Sequence, residues 1–263
     1  KVSGQLNIHG ILQMIHATDT LDVTGSINWH SGSTDNITSG AIIAGLDWHF
    51  KSGTTANLGT GNTVFVKSPP FYIVPLVNDW NDDAAFGTLV IDQQGAGSSK
   101  VYPAHDTIRV NGNLSVNANN IVRMNQGKLR VRGDLIMDPT SSFAEFTAAG
   151  LLVVDGNLDQ YGEISMDAGR VLIHGEYELK SSGTLRIGGG EFVCDQPYYS
   201  SKAWRYLSGK MVMEGGIFEL TDNSIYIGST FTDSIQGGEI RCGYTFFAPY
   251  AATFQPSGGR LTL

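Results

Sequence analysis

Residues 127–135 read Gly127-Lys128-Leu129-Arg130-Val131-Arg132-Gly133-Asp134-Leu135. Leu129 and Val131 flank a charged residue, the period-two alternation of a strand with one buried face. Val131 to Leu135 then passes through a glycine, which tolerates a sharp bend between two short strands. Sliding this stretch along the chain finds matching anchors at Asp19, Gly40, Asn62, Gly87, Asp106, Gly127, Gly150, Gly169, Gly190, Gly216, Gly238 and Gly259, about 22 residues apart on average.

Two and four residues after each anchor the side chain is apolar, from Leu21 and Val23 through Leu129 and Val131 to Leu261 and Leu263. Against a hydrophobic content of 41% this is not a chance pattern. The bend recurs as Val2–Leu6, Val23–Ile27, Val110–Leu114, Val154–Leu158 and Ile173–Tyr177, each with glycine at its centre. A third apolar position precedes many anchors by three residues: Ile37, Met124, Met166, Ile187, Met213 and Ile235. Three short strands per repeat describe a triangular coil that buries its apolar face only by stacking on the next. The prediction is an all-β, right-handed parallel β-helix (β-solenoid) of about 12 coils of about 22 residues. At about 4.8 Å per coil the rod is roughly 55–60 Å long. A β-sandwich would show turn signals at shorter intervals and no single register over the whole chain.

Residues 1–263 are read as one solenoid domain, with longer coils and protruding loops near 67–84 and 194–209. The opening at Lys1 and the stop at Leu263 in mid-pattern suggest a piece of a larger polypeptide, or a mature form. The net charge of −8 argues against nucleic acid as a partner, because phosphate binding needs a basic surface. No apolar run approaches the ~20 residues that cross a bilayer, so no membrane insertion is expected in this segment. Two cysteines do not make a disulfide scaffold. Cys194 and Cys242 both take the inward position four after an anchor, two coils apart, too far for a disulfide; both are expected to be free, buried thiols.

Asp106 to Val116 (Asp-Thr-Ile-Arg-Val-Asn-Gly-Asn-Leu-Ser-Val) and Gly150 to Gly169 resemble the filamentous-haemagglutinin-like solenoid adhesins and the large repetitive surface proteins secreted by Bacteroidetes-type bacteria. Phe86 to Ile91, a polar spacer and then Asp106 to Val116 is similar to a unit that recurs in the second group. The resemblance implies an extracellular or cell-surface location and a non-catalytic role in adhesion or surface structure. It brings no catalytic residues and no cofactor.

Trp29-His30 and Trp48-His49 form a repeated pair. Placed two after inward Ile27 and Leu46, both tryptophans align with Ile8 and fill the core, and His9, His30 and His49 then form an outward ladder. Such a straight column does not make a tetrahedral metal site. Asn78–Asp83 is oxygen-rich, but its spacing fits a solvated turn better than a calcium loop. The aromatic excursions are the candidate ligand-binding residues: Phe71, Tyr72 and Trp80 in one, Tyr198, Tyr199, Trp204, Arg205 and Tyr206 in the other, types enriched in binding hot spots and sugar-stacking surfaces. Tyr244–Tyr250 is a weaker example. The partners these imply are glycans or the proteins of a host or neighbouring surface.

Polysaccharide-cleaving enzymes on parallel β-helices are the alternative class. Glycoside hydrolysis needs two carboxylates flanking one bond. Here the outward acids stand singly, at Asp22, Asp47, Asp134, Asp155, Glu176, Glu178 and Glu219, with Asp134, Asp155 and Glu176 forming a ladder on successive coils. No nucleophile elbow, zinc-protease helix, phosphate loop or dinucleotide fingerprint is present. The expected function is an adhesin-like or stalk segment, not an enzyme.

Overall fold

The structure is a computed structural model describing residues 1–67, 73–79, 84–92, 99–105, 107–125, 127–195, 204–221, 224–249 and 254–263. Among these residues there is no helix, and every strand pairing is parallel. The chain winds as a β-solenoid of about ten turns, each passing three sides in a fixed order.

Side 1 opens with Leu6–Ile8 and side 3 with Thr20–Val23, and each is an 11-stranded sheet. Side 2 begins as the pair Ile11–Met14 and Thr34–Ile37. It passes through the single bridges Asn57↔Ala85 and Phe86↔Val110 and becomes a regular 8-stranded sheet from Thr107–Val110 onward. Stacking pairs most strands with the coils above and below; on side 2, Thr34–Ile37 and Thr107–Val110 end their sheets within the stack.

The apolar alternation lines the interior as expected. Of the predicted anchor-strand positions, all but Leu21, Leu261 and Leu263 are buried. Those three lie near the ends of the stack, where few coils or none cover them. Met124, Met166, Ile187 and Met213 close the core from side 1 with no exposed surface. Larger rings widen it twice: Trp29, Trp48, Phe50 and Phe86 pack together near the start, and Tyr177, Phe192 and Phe218 in the second half.

The stack has about ten turns where about twelve coils were expected, and one feature of the repeat differs from the sequence reading. The anchor strands do not stay on one side. Thr88–Ile91 lies on side 3 and pairs with Leu114–Val116, whereas Thr107–Val110 begins the regular sheet of side 2. The anchor motif therefore moves from side 3 to side 2 between Leu89 and Ile108. The glycine bend moves with it, turning side 3 into side 1 at Gly25 and side 2 into side 3 at Gly112, Gly133, Gly156 and Gly175.

These corner glycines are not needed for a left-handed backbone, since none of the five has a positive φ. They are needed for room. A Cβ on Gly175 would sit 2.1 Å from the Gly156 carbonyl oxygen, and one on Gly156 would sit 2.4 Å from that of Gly133. The backbone of one coil rests directly on the glycine of the next.

Candidate functional site

Side 3 alternates inward and outward, so register partners on successive coils point the same way. Its central outward column runs Ser115, Ile136, Asp159, Glu178, Tyr206, Tyr226 and Phe247. The last three residues form a stack of rings along the rod. Tyr206 and Tyr226 have centroids 5.1 Å apart, and Tyr226 and Phe247 5.3 Å. Tyr206 is 42% exposed and Phe247 46%, large apolar surfaces for outward positions. Tyr226, covered from both sides, is half-buried.

Where the aromatic column meets the acids, a cleft of about 270 Å³ opens, lined by Asn157, Asp159, Glu176, Glu178, Lys180 and Tyr206 among others. Lys180 organises it. Its Nζ lies 2.6 Å from Glu178 Oε2 and 3.0 Å from Asp159 Oδ1, and 5.5 Å from the centroid of the Tyr161 ring. Partial burial works against the charge on Lys180, but the hydrogen bonds it donates to Glu178 and Asp159 outweigh it and hold the ammonium above its usual range. The two carboxylates are register partners on adjacent coils, side by side on one face. No family model, curated protein or solved structure matches this chain.

Beneath the cleft the core is unusually polar. Gln160 and Tyr177 are buried, and the Tyr177 hydroxyl donates to Gln160 Oε1 at 2.9 Å. Arg205 pairs with Ile225 in the inward column and is only 1% exposed. Burial pushes its guanidinium down, and the charge of Glu176 acts in the opposite direction. Outside, Asn113 Oδ1 accepts the backbone N–H of Asp134, Asp134 Oδ1 that of Asn157, and Asn157 Oδ1 that of Glu176, at 2.8–2.9 Å. This corner ladder corrects the expected acidic one. Asp134 belongs to it as a backbone cap and Glu176 only through its backbone N–H, which Asn157 caps, while Asp155 stands on the other side of its glycine. There His174 Nδ1 lies 2.6 Å from Asp195 Oδ1, its Nε2 3.9 Å from Asp155 Oδ1, and Arg130 Nε bonds Asp155 Oδ2 at 3.0 Å.

Of the candidate ligand-binding residues, Phe71, Tyr72, Trp80, Tyr198 and Tyr199 lie outside the described residues. Trp204 is described as the first residue of the strand Trp204–Leu207, without its side chain. Arg205 points inward and Tyr206 outward into the aromatic column. Tyr226, which completes that column, was not singled out from sequence. In Asn78–Asp83, Asn78 is buried and donates to the Thr107 carbonyl at 2.9 Å, and Asp79 Oδ2 lies 2.6 Å from His49 Nε2; residues 80–83 lie outside the description.

Both tryptophans of the repeated pair are fully buried, as expected. Their register differs. Trp48 aligns with Ile27 and Leu6, while Phe50 aligns with Trp29 and Ile8. The corners Thr24–Ser26 and Gly45–Asp47 are the same length, and Leu46 is a corner residue, not an inward strand position. His9 and His30 do stack, with centroids 4.1 Å apart, but His49 falls in the neighbouring column beside Asn28.

Proposed function

We propose that this chain is a non-catalytic, adhesin-like spacer of a surface protein, a stiff rod whose specific contact is a carbohydrate held on the flank of side 3. The observation that carries the ligand class is the continuity of two features: an exposed stack of aromatic rings, and next to it a small cleft of carboxylates and an ammonium. The apolar C–H face of a sugar ring packs on an aromatic face, and its hydroxyls donate to carboxylates and accept from ammonium groups. The extracellular setting rests on the resemblance of Asp106–Val116 and Gly150–Gly169 to solenoid surface proteins.

Binding without cleavage is favoured by the placement of the acids. Glycoside hydrolysis needs carboxyl groups on either side of the scissile bond. Asp159 and Glu178 instead stand side by side on one sheet face, joined through Lys180.

The test is a glycan array probed with wild type and with a Tyr206→Ala/Tyr226→Ala double variant. Selective binding that the folded variant loses supports the reading. A folded wild type that binds no glycan overturns the sugar contact and leaves a plain stalk.

A further inference from the structure

We infer that the glycan lies parallel to the rod axis, in step with the coils, and that it is uncharged; this inference rests on the carbohydrate reading of the same flank. The direction follows from the shape of the surface. Tyr206, Tyr226 and Phe247 are register partners on three consecutive coils, so their rings rise in one line at 5.1 and 5.3 Å intervals. The outward positions flanking Tyr226 on its own coil are Ser224 and Gly228, and Thr245 precedes the Phe247 pair on the next. Beside Tyr226 and Phe247 the aromatic surface is thus a narrow ridge with low shoulders. A chain laid across it meets one ring, and a chain laid along it meets three.

The cleft fixes one end of that path. Its volume of about 270 Å³ falls just below the roughly 300–1,000 Å³ of pockets that enclose a drug-sized molecule, which suits a single sugar unit. A first ring placed there touches Tyr206 and reaches Asp159, Glu178 and Lys180. Later rings continue over Tyr226 and Phe247.

Charge selects the class. Asp159, Glu176 and Glu178 surround the cleft, and the Nζ of Lys180 is already engaged by two of them. Arg205, the other cation that lines the cleft, is buried to 1% exposure. A uronate or sulfate would meet these carboxylates within a chain whose net charge is −8. Neutral hydroxyls meet acceptors that suit them.

The experiment titrates neutral β-1,4-linked glucan and chitin oligosaccharides of two to six units by calorimetry, with oligogalacturonates of equal length as the charged arm. Affinity is expected to rise from two to three units by between about two- and tenfold, the gain of one added ring contact, then level off to six. Phe247→Ala should reduce the four-unit ligand to the affinity of the two-unit one and leave the latter unchanged. Phe247→Leu, which keeps apolar packing against Tyr226, should do the same, separating loss of the ring face from loss of fold. Oligogalacturonates should bind more weakly, with the gap narrowing as salt rises. Length-independent binding that Tyr206→Ala alone abolishes overturns the axial path and leaves the carbohydrate reading intact. Preference for galacturonates overturns the neutral assignment. No binding by any of these glycans overturns both readings.

Discussion

The hydroxyl of Tyr177 donates to Oε1 of Gln160 at 2.9 Å inside the solenoid, one coil apart and directly beneath the carboxylates of Glu178 and Asp159. The same Gln160 amide donates to the carbonyls of Thr184 at 2.7 Å and Gly162 at 3.2 Å. Burial pushes the phenol well above its ordinary range, so it remains an O–H donor at any ordinary pH. Tyr177→Phe keeps the packing on Phe192 and Phe218 but leaves Gln160 Oε1 buried without that donor. The expected loss is about 1–3 kcal/mol in chemical denaturation. A change within 0.5 kcal/mol, roughly what a surface substitution gives, would show that the bond does not hold the floor of the cleft.

Gly175 tests the corner. An added Cβ meets the Gly156 carbonyl oxygen at 2.1 Å and its carbon at 2.3 Å, both backbone atoms that cannot swing aside. Gly10 has nothing within 4 Å of the same built atom. Gly175→Ala should cost about 1–3 kcal/mol or more, as overpacking does. Gly10→Ala should stay within about 0.5 kcal/mol. Equal melting temperatures for the two variants would refute the stacked-backbone explanation of the bend motif.

The core was legible because a stack of coils repeats one local rule. Apolar residues two apart mark the inward face wherever the strand lies, and Ile108, Leu129, Leu152 and Val171 obey it as Ile42 and Val64 do. The side a strand belongs to was not legible. Val23–Ile27 and Val110–Leu114 are alike because every corner imposes the same close approach of backbones, so the motif carries no label for its corner. The aromatic column escaped for a related reason. Tyr226 lies in an ordinary strand, and its alignment with Tyr206 depends on the register in which Trp204–Leu207 pairs with Ser224–Ile227. Arg205 looked like a surface contact by residue type. Leu207, two residues on, was the available sign that this position faces inward.

Two carboxyl groups should give stability profiles of opposite sign. Asp47 Oδ1 is buried with no hydrogen-bond partner among the described residues, and desolvation raises its pKa above the ordinary 3.8 despite the Ser26 hydroxyl at 3.4 Å. Its stabilising contribution is full below pH 3.8 and is lost as pH rises through the raised value. Asp47→Asn should therefore melt above wild type at pH 7, with the difference vanishing in acid. Glu239 is the reverse. Its bonds from Arg241 at 2.9 Å and Thr262 at 2.7 Å hold its pKa below the ordinary 4.5. Its contribution is present above pH 4.5 and lost as pH falls through the depressed value. Glu239→Gln should loosen the Glu239–Cys242 and Arg260–Thr262 pairing at pH 7, seen as faster amide exchange there, and should match wild type in acid. Two profiles of the same sign would refute the assignments.

Cys194 and Cys242 sit in one inward column with Leu220 between them, which confirms the expected free, buried pair. Burial pushes the Cys194 thiol far above its ordinary range, and the reactive species is the thiolate. Labelling of native protein with a thiol reagent should therefore wait on opening of the stack. The end coils have fewer neighbours and open at lower free energy than the middle. Cys242, two coils nearer the C-terminal end and with Sγ 3.2 Å from the Thr245 carbonyl, should label before Cys194. Both should react at once in denaturant without a reductant. Fast labelling of Cys194 in native protein would mean that the solenoid opens from its middle, contrary to a stack stabilised coil on coil.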